Sequence, residues 1–358
     1  MPPIKIGFIL LSNSRTPIPS TRISVLNMLP FLRAADFQPH IVYEPESGDE
    51  TPNLDHLLPD LVAENFQIVY FQKVHGASAE RLAKQLSEQG IKTIYGVCDL
   101  VDSGMATATD KTLVVTDYLK SLYPRELEKK ISVVHDGIEH PEKIKTVIND
   151  TRGSATKPLK AVLVTSAKLD ELPVIKSPPN WLEVSIIGNY PPRHERWQRI
   201  RESRWQLMAK EKPLEKAAYL KFLLNPRIKR VHWNPDDVYE QMLQADIGII
   251  PIDTEEETTN NQVPAWKVKS ENRLTMKMCV GLPVIATPIP SYLPIVNQGK
   301  NGYLANSAEE WLEYLNALRE PKLRREIGEN AHLSVSTKYS QQEQANILIK
   351  TLHSLLAN

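Results

Sequence analysis

Apolar runs of strand length alternate with helix-length amphipathic segments along most of the chain. In the first half the runs cover Ile4 to Leu11, Pro39 to Tyr43, Ile68 to Gln72, Lys92 to Val97, Thr112 to Thr116 and Ile131 to His135. Between them, Thr21 to Ala35 places Ile23, Leu26, Leu29 and Leu32 on one helical face. Ala79 to Gln89 repeats the pattern and stops at Gly90, a residue suited to the left-handed turn that ends helices. Strand-length runs separated by helices build parallel sheets covered on both faces, so this half predicts one doubly wound domain.

The segment from His140 to Lys157 is polar and lacks strong periodicity, and a new apolar run, Ala161 to Thr165, follows it. A linker is expected there. A second alternating series runs through Leu182 to Gly188, Lys229 to Trp233, Ile247 to Ile252 and Leu282 to Thr287, with helices around Val238 to Ala245 and Asn272 to Val280. The reading is an α/β chain of two Rossmann-like domains, residues 1–150 and 151–358, facing each other across a cleft. From Ser307 to Leu356 the pattern is helical throughout. Ser307 with Glu310 resembles a capping box before Trp311, Leu312, Leu315 and Leu318, and this terminal stretch could pack back onto the first domain.

A length of 358 residues agrees with two cores. Charge changes the picture more: 43 basic residues balance 43 acidic ones, which argues against a general nucleic-acid binder that must neutralise many phosphates. Two cysteines, Cys98 and Cys279, are too few for a disulfide framework and fit a reducing compartment. The apolar run at the start is of strand length, without a secretory cleavage site, and no stretch approaches the span of a bilayer. The expectation is a cytoplasmic protein, with any membrane contact peripheral.

In open parallel sheets ligands bind beyond the C-terminal ends of the strands. The segment Trp266 to Pro290 occupies such a place. It carries Lys267, Lys269, Ser270, Asn272 and Arg273 at the start of a helix that Gly281 and Pro283 terminate. Cations, a hydroxyl, an amide and unpaired backbone N–H groups at a helix N-terminus suit a diphosphate, and the same groups would stabilise its departure without a metal. Either that, or the segment is a solvated basic helix start.

The order of motifs resembles the glycosyltransferase family 4 group and its relatives of the GT-B type. HWNPDDVYEQMLQADIGIIPI is similar to that family's stretch where a short loop meets the nucleobase. GLPVIATPIPSYLPIVNQGKNGYLA is similar to its GxPVIA strand and NG turn, and AEEWLEYLNALREPKLRREIGENAHLSVSTKYS to its terminal helices. The likeness is looser in the first half, where STRISVLNMLPFLRAADFQPHIV, IYGVCDLVD and SVVHDGIE carry it. The resemblance implies a C-terminal nucleotide-sugar domain, an N-terminal acceptor domain, retention of anomeric configuration, and no cofactor or bound metal. Two departures stand out. Many members carry a spaced pair of glutamates before the GxPV strand, where this chain has Val268 and Met276, with Glu271 out of register. The Gly-rich first loop is replaced by SNSRTPIPSTR.

Candidate residues follow. Lys269 and Arg273 would act on the diphosphate, together with Ser270 and Asn272. Gly188 would allow close backbone approach to the nucleotide, with Asn189 beyond it and Trp233 and Asn234 near the base, although Trp233 equally suits the core. Lys168 stands where relatives place a phosphate-binding arginine. Ser20, Thr21 and Arg22 begin a helix and could hold an anionic group, Arg22 by bidentate contact, or Ser20 is simply an N-cap. Asp99 is the first candidate for orienting an acceptor hydroxyl, Asp102 the second, and either could instead cap a helix. His75, beside Lys73, is a weaker one. From Arg193 to Arg230 the chain is basic with interspersed aromatics, which reads either as a solvated helical face or as a surface for anionic lipid or a lipid-linked acceptor. The expected partners are a nucleotide-sugar donor and a glycan, glycolipid or small-molecule acceptor, with no nucleic acid. A catalytically silent nucleotide-sugar-binding protein or partner subunit is the alternative. A nicotinamide enzyme would need a G-x-G-x-x-G turn after the first strand, which is absent.

Overall fold

The computed structural model describes residues 3–235, 237–255 and 263–357. The described residues form two compact units. One comprises those up to Glu139, with Val263–Asn272 and those from Thr337 onward; the other comprises those from His140 to 255 and Arg273–Ser336.

The first unit is built from β1 (Ile4–Leu10), α1 (Pro19–Ser24), α2 (Leu29–Ala34), β2 (Phe37–Tyr43), α3 (Leu58–Ala63), β3 (Ile68–Gln72), α4 (Ala77–Glu88), β4 (Lys92–Val97), α5 (Ser103–Ala108), β5 (Lys111–Val114), α6 (Asp117–Ser121) and β6 (Ile131–Val133). Its strands form a parallel sheet in the order β2-β1-β3-β4-β5-β6. Both faces are covered, which is why the strands read as continuous apolar runs rather than alternating ones. Ile9, Val69, Phe71 and Tyr95 enter one core; Ile6, Phe8, Leu10, Ile68, Tyr70 and Ile94 enter the other. Each such aliphatic side chain removed from water contributes roughly 1.5–3 kcal/mol. Gly96 is required by packing, since a Cβ there would lie 2.0 Å from the Tyr70 hydroxyl.

The second unit holds β7 (Leu159–Val164), β8 (Leu182–Gly188), α7 (Arg196–Ala209), α8 (Pro213–Leu224), β9 (Ile228–His232), α9 (Val238–Leu243), β10 (Ile247–Ile250), α10 (Asn272–Cys279), β11 (Val284–Ala286), β12 (Tyr303–Leu304), α11 (Ala308–Ala317) and α12 (Pro321–Val335). Asn272, the first residue of α10, is counted with the first unit. The sheet is again parallel, ordered β12-β11-β10-β7-β8-β9. Leu159, Ala161 and Leu163 face one core, and Val162 and Val164 the other. The last helix, α13 (Gln341–Leu356), belongs to the first unit, where Ala345, Leu348 and Leu352 close the core around β1.

One helical expectation needs correction. The segment Thr21 to Ala35 is not one helix. It breaks at Val25 (φ −125°, ψ −64°) into α1, a 3-10 turn and α2, because Pro30 lacks the N–H that a continuous ladder requires. The stretch from Ser307 to Leu356 is three helices. Ser307 does cap the first, accepting from the Glu310 N–H at 3.3 Å, and Ser340 caps the last through the Glu343 N–H at 3.1 Å. No helix among the described residues is long and apolar enough to cross a membrane.

Candidate functional site

The loops beyond the C-terminal ends of β3, β4 and β6 gather polar groups in the first unit. After β3, Lys73 adopts a left-handed backbone (φ 56°), and its N–H donates to the Gly96 carbonyl at 2.8 Å. That turn aims its ammonium at Asp99, 2.8 Å from Oδ1 and 3.0 Å from Oδ2, with Glu50 at 3.6 Å. His75 approaches Asp102 through Nδ1 at 3.3 Å and Glu50 through Nε2 at 3.8 Å. The structure therefore brings Asp99, Asp102, His75 and Lys73 together. Asp102 also caps α5, accepting from the Met105 N–H at 2.9 Å, whereas the Asp99 side chain is half exposed.

A second cluster lies beyond β6. His135 Nδ1 donates to the Val115 carbonyl at 2.9 Å and lies in ion-pair contact with Glu271 Oε1 at 2.7 Å. Burial works to lower the His135 pKa, and the Glu271 carboxylate more than offsets it, so the imidazolium is favoured. The Asp136 carboxyl is pushed up to about 7 by burial and by the charge of Glu271, against a hydrogen bond from Ser270 and the charge of His135. His135 and Asp136 line a cavity of about 30 Å³ with Ser20, Gln72, Lys73 and Cys98. That volume admits a water-sized group rather than a sugar. Burial and Asp99 push the Cys98 thiol up, which leaves it a poor nucleophile.

Three first-loop residues are engaged within the protein. Ile18, not Ser20, stands at the N-cap of α1. Thr21 is buried; its hydroxyl accepts from Ser12 and donates to Gln72 Oε1, both at 2.9 Å. Ser20 Oγ lies 3.5 Å from Gln72 Nε2. The Arg22 fork is bidentate, on the Glu139 carboxylate at 2.6 and 2.9 Å. Lys269, Ser270 and Asn272 are partly buried ahead of α10 and at its first position, and Lys267 lies over the Trp266 ring at 5.2 Å.

In the second unit the loops after β7, β8 and β9 meet. Arg273, in the first turn of α10, donates to Ser166 Oγ at 2.9 Å. Among the described residues no carboxylate pairs with it. A Cβ on Gly188 would lie 3.1 Å from the Ala167 carbonyl, so the close approach at Gly188 is to this neighbouring loop. The Trp233 N–H donates to the Gly188 carbonyl at 2.9 Å, and its ring packs against the core while partly exposed. Asn234 accepts from the Val238 N–H as α9 begins. Asn189 is exposed. Lys168 is paired with Glu202 of α7. Beneath Arg273, the buried amine of Lys277 donates to the Arg273 carbonyl at 2.9 Å, and burial and the Arg273 charge hold its pKa down to about 7. Val268 and Met276 lie in apolar clusters.

His135, Asp136, Ser166 and Lys277 were not singled out from sequence. For His135 and Asp136 the signal available was polar residues ending an apolar run; Ser166 and Lys277 carry no local signal.

Residues 21–142 match the family described as the glycosyl transferase family 4 group. No curated protein matches the chain. Among solved structures, the chain is similar to HepE of Anabaena in complex with UDP-glucose, at 13% identity and a TM-score of 0.65, covering 98% of this chain and 100% of that one. It is similar to a glycosyltransferase of Rickettsia africae at 12% identity and a TM-score of 0.67, covering 99% of each. It is also similar to the sucrose-phosphate synthase of Thermosynechococcus elongatus at 13% identity and a TM-score of 0.67, with the same coverage. The chain is of the glycosyltransferase B type in fold, and over residues 21–142 it carries the sequence pattern of the glycosyl transferase family 4 group.

Proposed function

We propose that the protein transfers a sugar from a nucleotide-sugar donor to a glycan, glycolipid or small-molecule acceptor, with retention and without a metal, in the cytoplasm. The C-terminal half of the chain, residues 151–358, would take the donor. The observation that carries this reading is Arg273: a cation in the first turn of α10, held by Ser166 and by no carboxylate among the described residues. With Lys269, Ser270 and Asn272 it would meet the diphosphate, and its charge would stabilise the leaving group. Gly188, Asn189, Trp233 and Asn234 would flank the nucleoside. In the first unit Asp99, held by Lys73, would orient the acceptor hydroxyl, with His75 and Asp102 behind it. The complex of HepE with UDP-glucose supports uridine diphosphate as the first nucleotide to try.

Replacing Lys269 and Arg273 together with alanine is expected to lower turnover by several orders of magnitude with the circular dichroism spectrum unchanged. Near-normal turnover would overturn the assignment. A second reading, a silent nucleotide-sugar-binding protein or partner subunit, draws on Met276 standing where the resemblance implies a glutamate. A nucleoside diphosphate that raises the melting temperature, with no hydrolysis or transfer over a broad acceptor panel, would favour it.

A further inference from the structure

The helices between β8 and β9 present large apolar side chains to solvent. On α7, Trp197 and Trp205 are 85% and 71% exposed, and Ile200 and Met208 58% and 68%; on α8, Leu214 and Leu224 are 84% and 79% exposed. Core packing does not require them. Leu207 of α7 is the residue that packs against the core of this unit, and Arg199 anchors the helix through the Pro191 and Arg230 carbonyls at 2.7 and 3.0 Å. Positions 197, 200, 205 and 208 fall on one side of a helix, and the exposed Arg201 and Arg204 fall among them. Between Arg193 and Arg230 there are twelve lysines and arginines against four glutamates, in a chain whose total charge is balanced.

We propose that this face binds the surface of a membrane bearing anionic lipid, with the tryptophans at headgroup level and the cations on the lipid charges. A second copy of the chain would set these cations against each other. A nucleic acid would use the cations and indoles, but Ile200, Met208 and Leu214 have no planar face to stack on bases. Hydrocarbon is the environment in which aliphatic side chains gain. The inference is independent of sugar transfer.

The test is co-sedimentation of the full chain with vesicles of phosphatidylcholine alone or mixed with phosphatidylglycerol. Binding is expected to be at least about tenfold tighter on the anionic vesicles and to weaken with salt. Brominated lipid should quench tryptophan emission. The pair Trp197→Ala and Trp205→Ala, and the trio Arg196→Glu, Arg201→Glu and Arg204→Glu, should each weaken binding by about tenfold or more while melting as the parent does. No binding to anionic vesicles would overturn the proposal. So would a tryptophan variant that binds and quenches like the parent, or a face that responds only to RNA or to self-association.

Discussion

Glu271, 1% exposed, meets the Nδ1 of His135 at 2.7 Å, so a glutamate standing ahead of α10 is consumed by an imidazole from the end of β6. Asp136 is the next residue and shares the negative field of Glu271. Burial and like charge raise the folded-state pKa of Asp136 to about 7, above the ordinary aspartate value of 3.8. Between those values the folded protein holds a proton that the unfolded chain has released, so stability falls as pH rises through that window. His135, raised above 6.5, adds a contribution of the same sign that is lost as pH climbs through its folded value. Melting temperature is therefore expected to decline from mildly acidic to neutral pH. Asp136→Asn, which keeps an acceptor for Ser270, should flatten the decline and raise stability at neutral pH; an unchanged profile would contradict the buried proton.

Lys277 acts in the opposite direction and in a different window. Its folded pKa of about 7 lies below the ordinary lysine value of 10.5, so from neutral to alkaline pH the unfolded chain binds more protons and stability rises. Lys277→Met, similar in length and apolar, should raise the melting temperature at neutral pH by a few degrees and remove the alkaline rise. A loss of stability in that variant would show that the hydrogen bond to the Arg273 carbonyl outweighs the cost of burying the amine.

Arg22 and Glu139 are both mostly buried and joined by a two-point contact. Arg22→Ala is expected to destabilise by about 1–3 kcal/mol, read from denaturant midpoints, and Arg22→Lys should recover only part of it because a lysine cannot make the fork. Full recovery by lysine would mean that charge alone matters there.

Asp99 and Asp102 should separate by readout. Asp102 caps α5, so Asp102→Ala is expected to cost about 1 kcal/mol of stability. Asp99→Asn should leave the melting temperature nearly unchanged and lower turnover by about 10²–10⁴-fold. Equal effects of the two on both measurements would remove the distinct role proposed for Asp99.

The strands were legible in the chain because burial on both sheet faces writes itself as uninterrupted apolar runs: β3, β4 and β8 have the limits that the runs mark. Caps were legible for the same local reason, as Ser307 shows. The two-residue β12 and the single turns of α3, α5 and α6 were not, being too short for a period to register. Tertiary structure alone decided the partners of the polar groups. Thr21 and Arg22 start a helix whose residues suit an anion, yet Gln72 and Glu139 take their hydrogen bonds across 51 and 117 residues of sequence. Glu271 is out of register in the chain and finds His135 only where the strand ends meet. Periodicity is a property of neighbours along the chain, whereas a hydrogen bond or a shifted proton depends on which distant loops the sheet order places side by side.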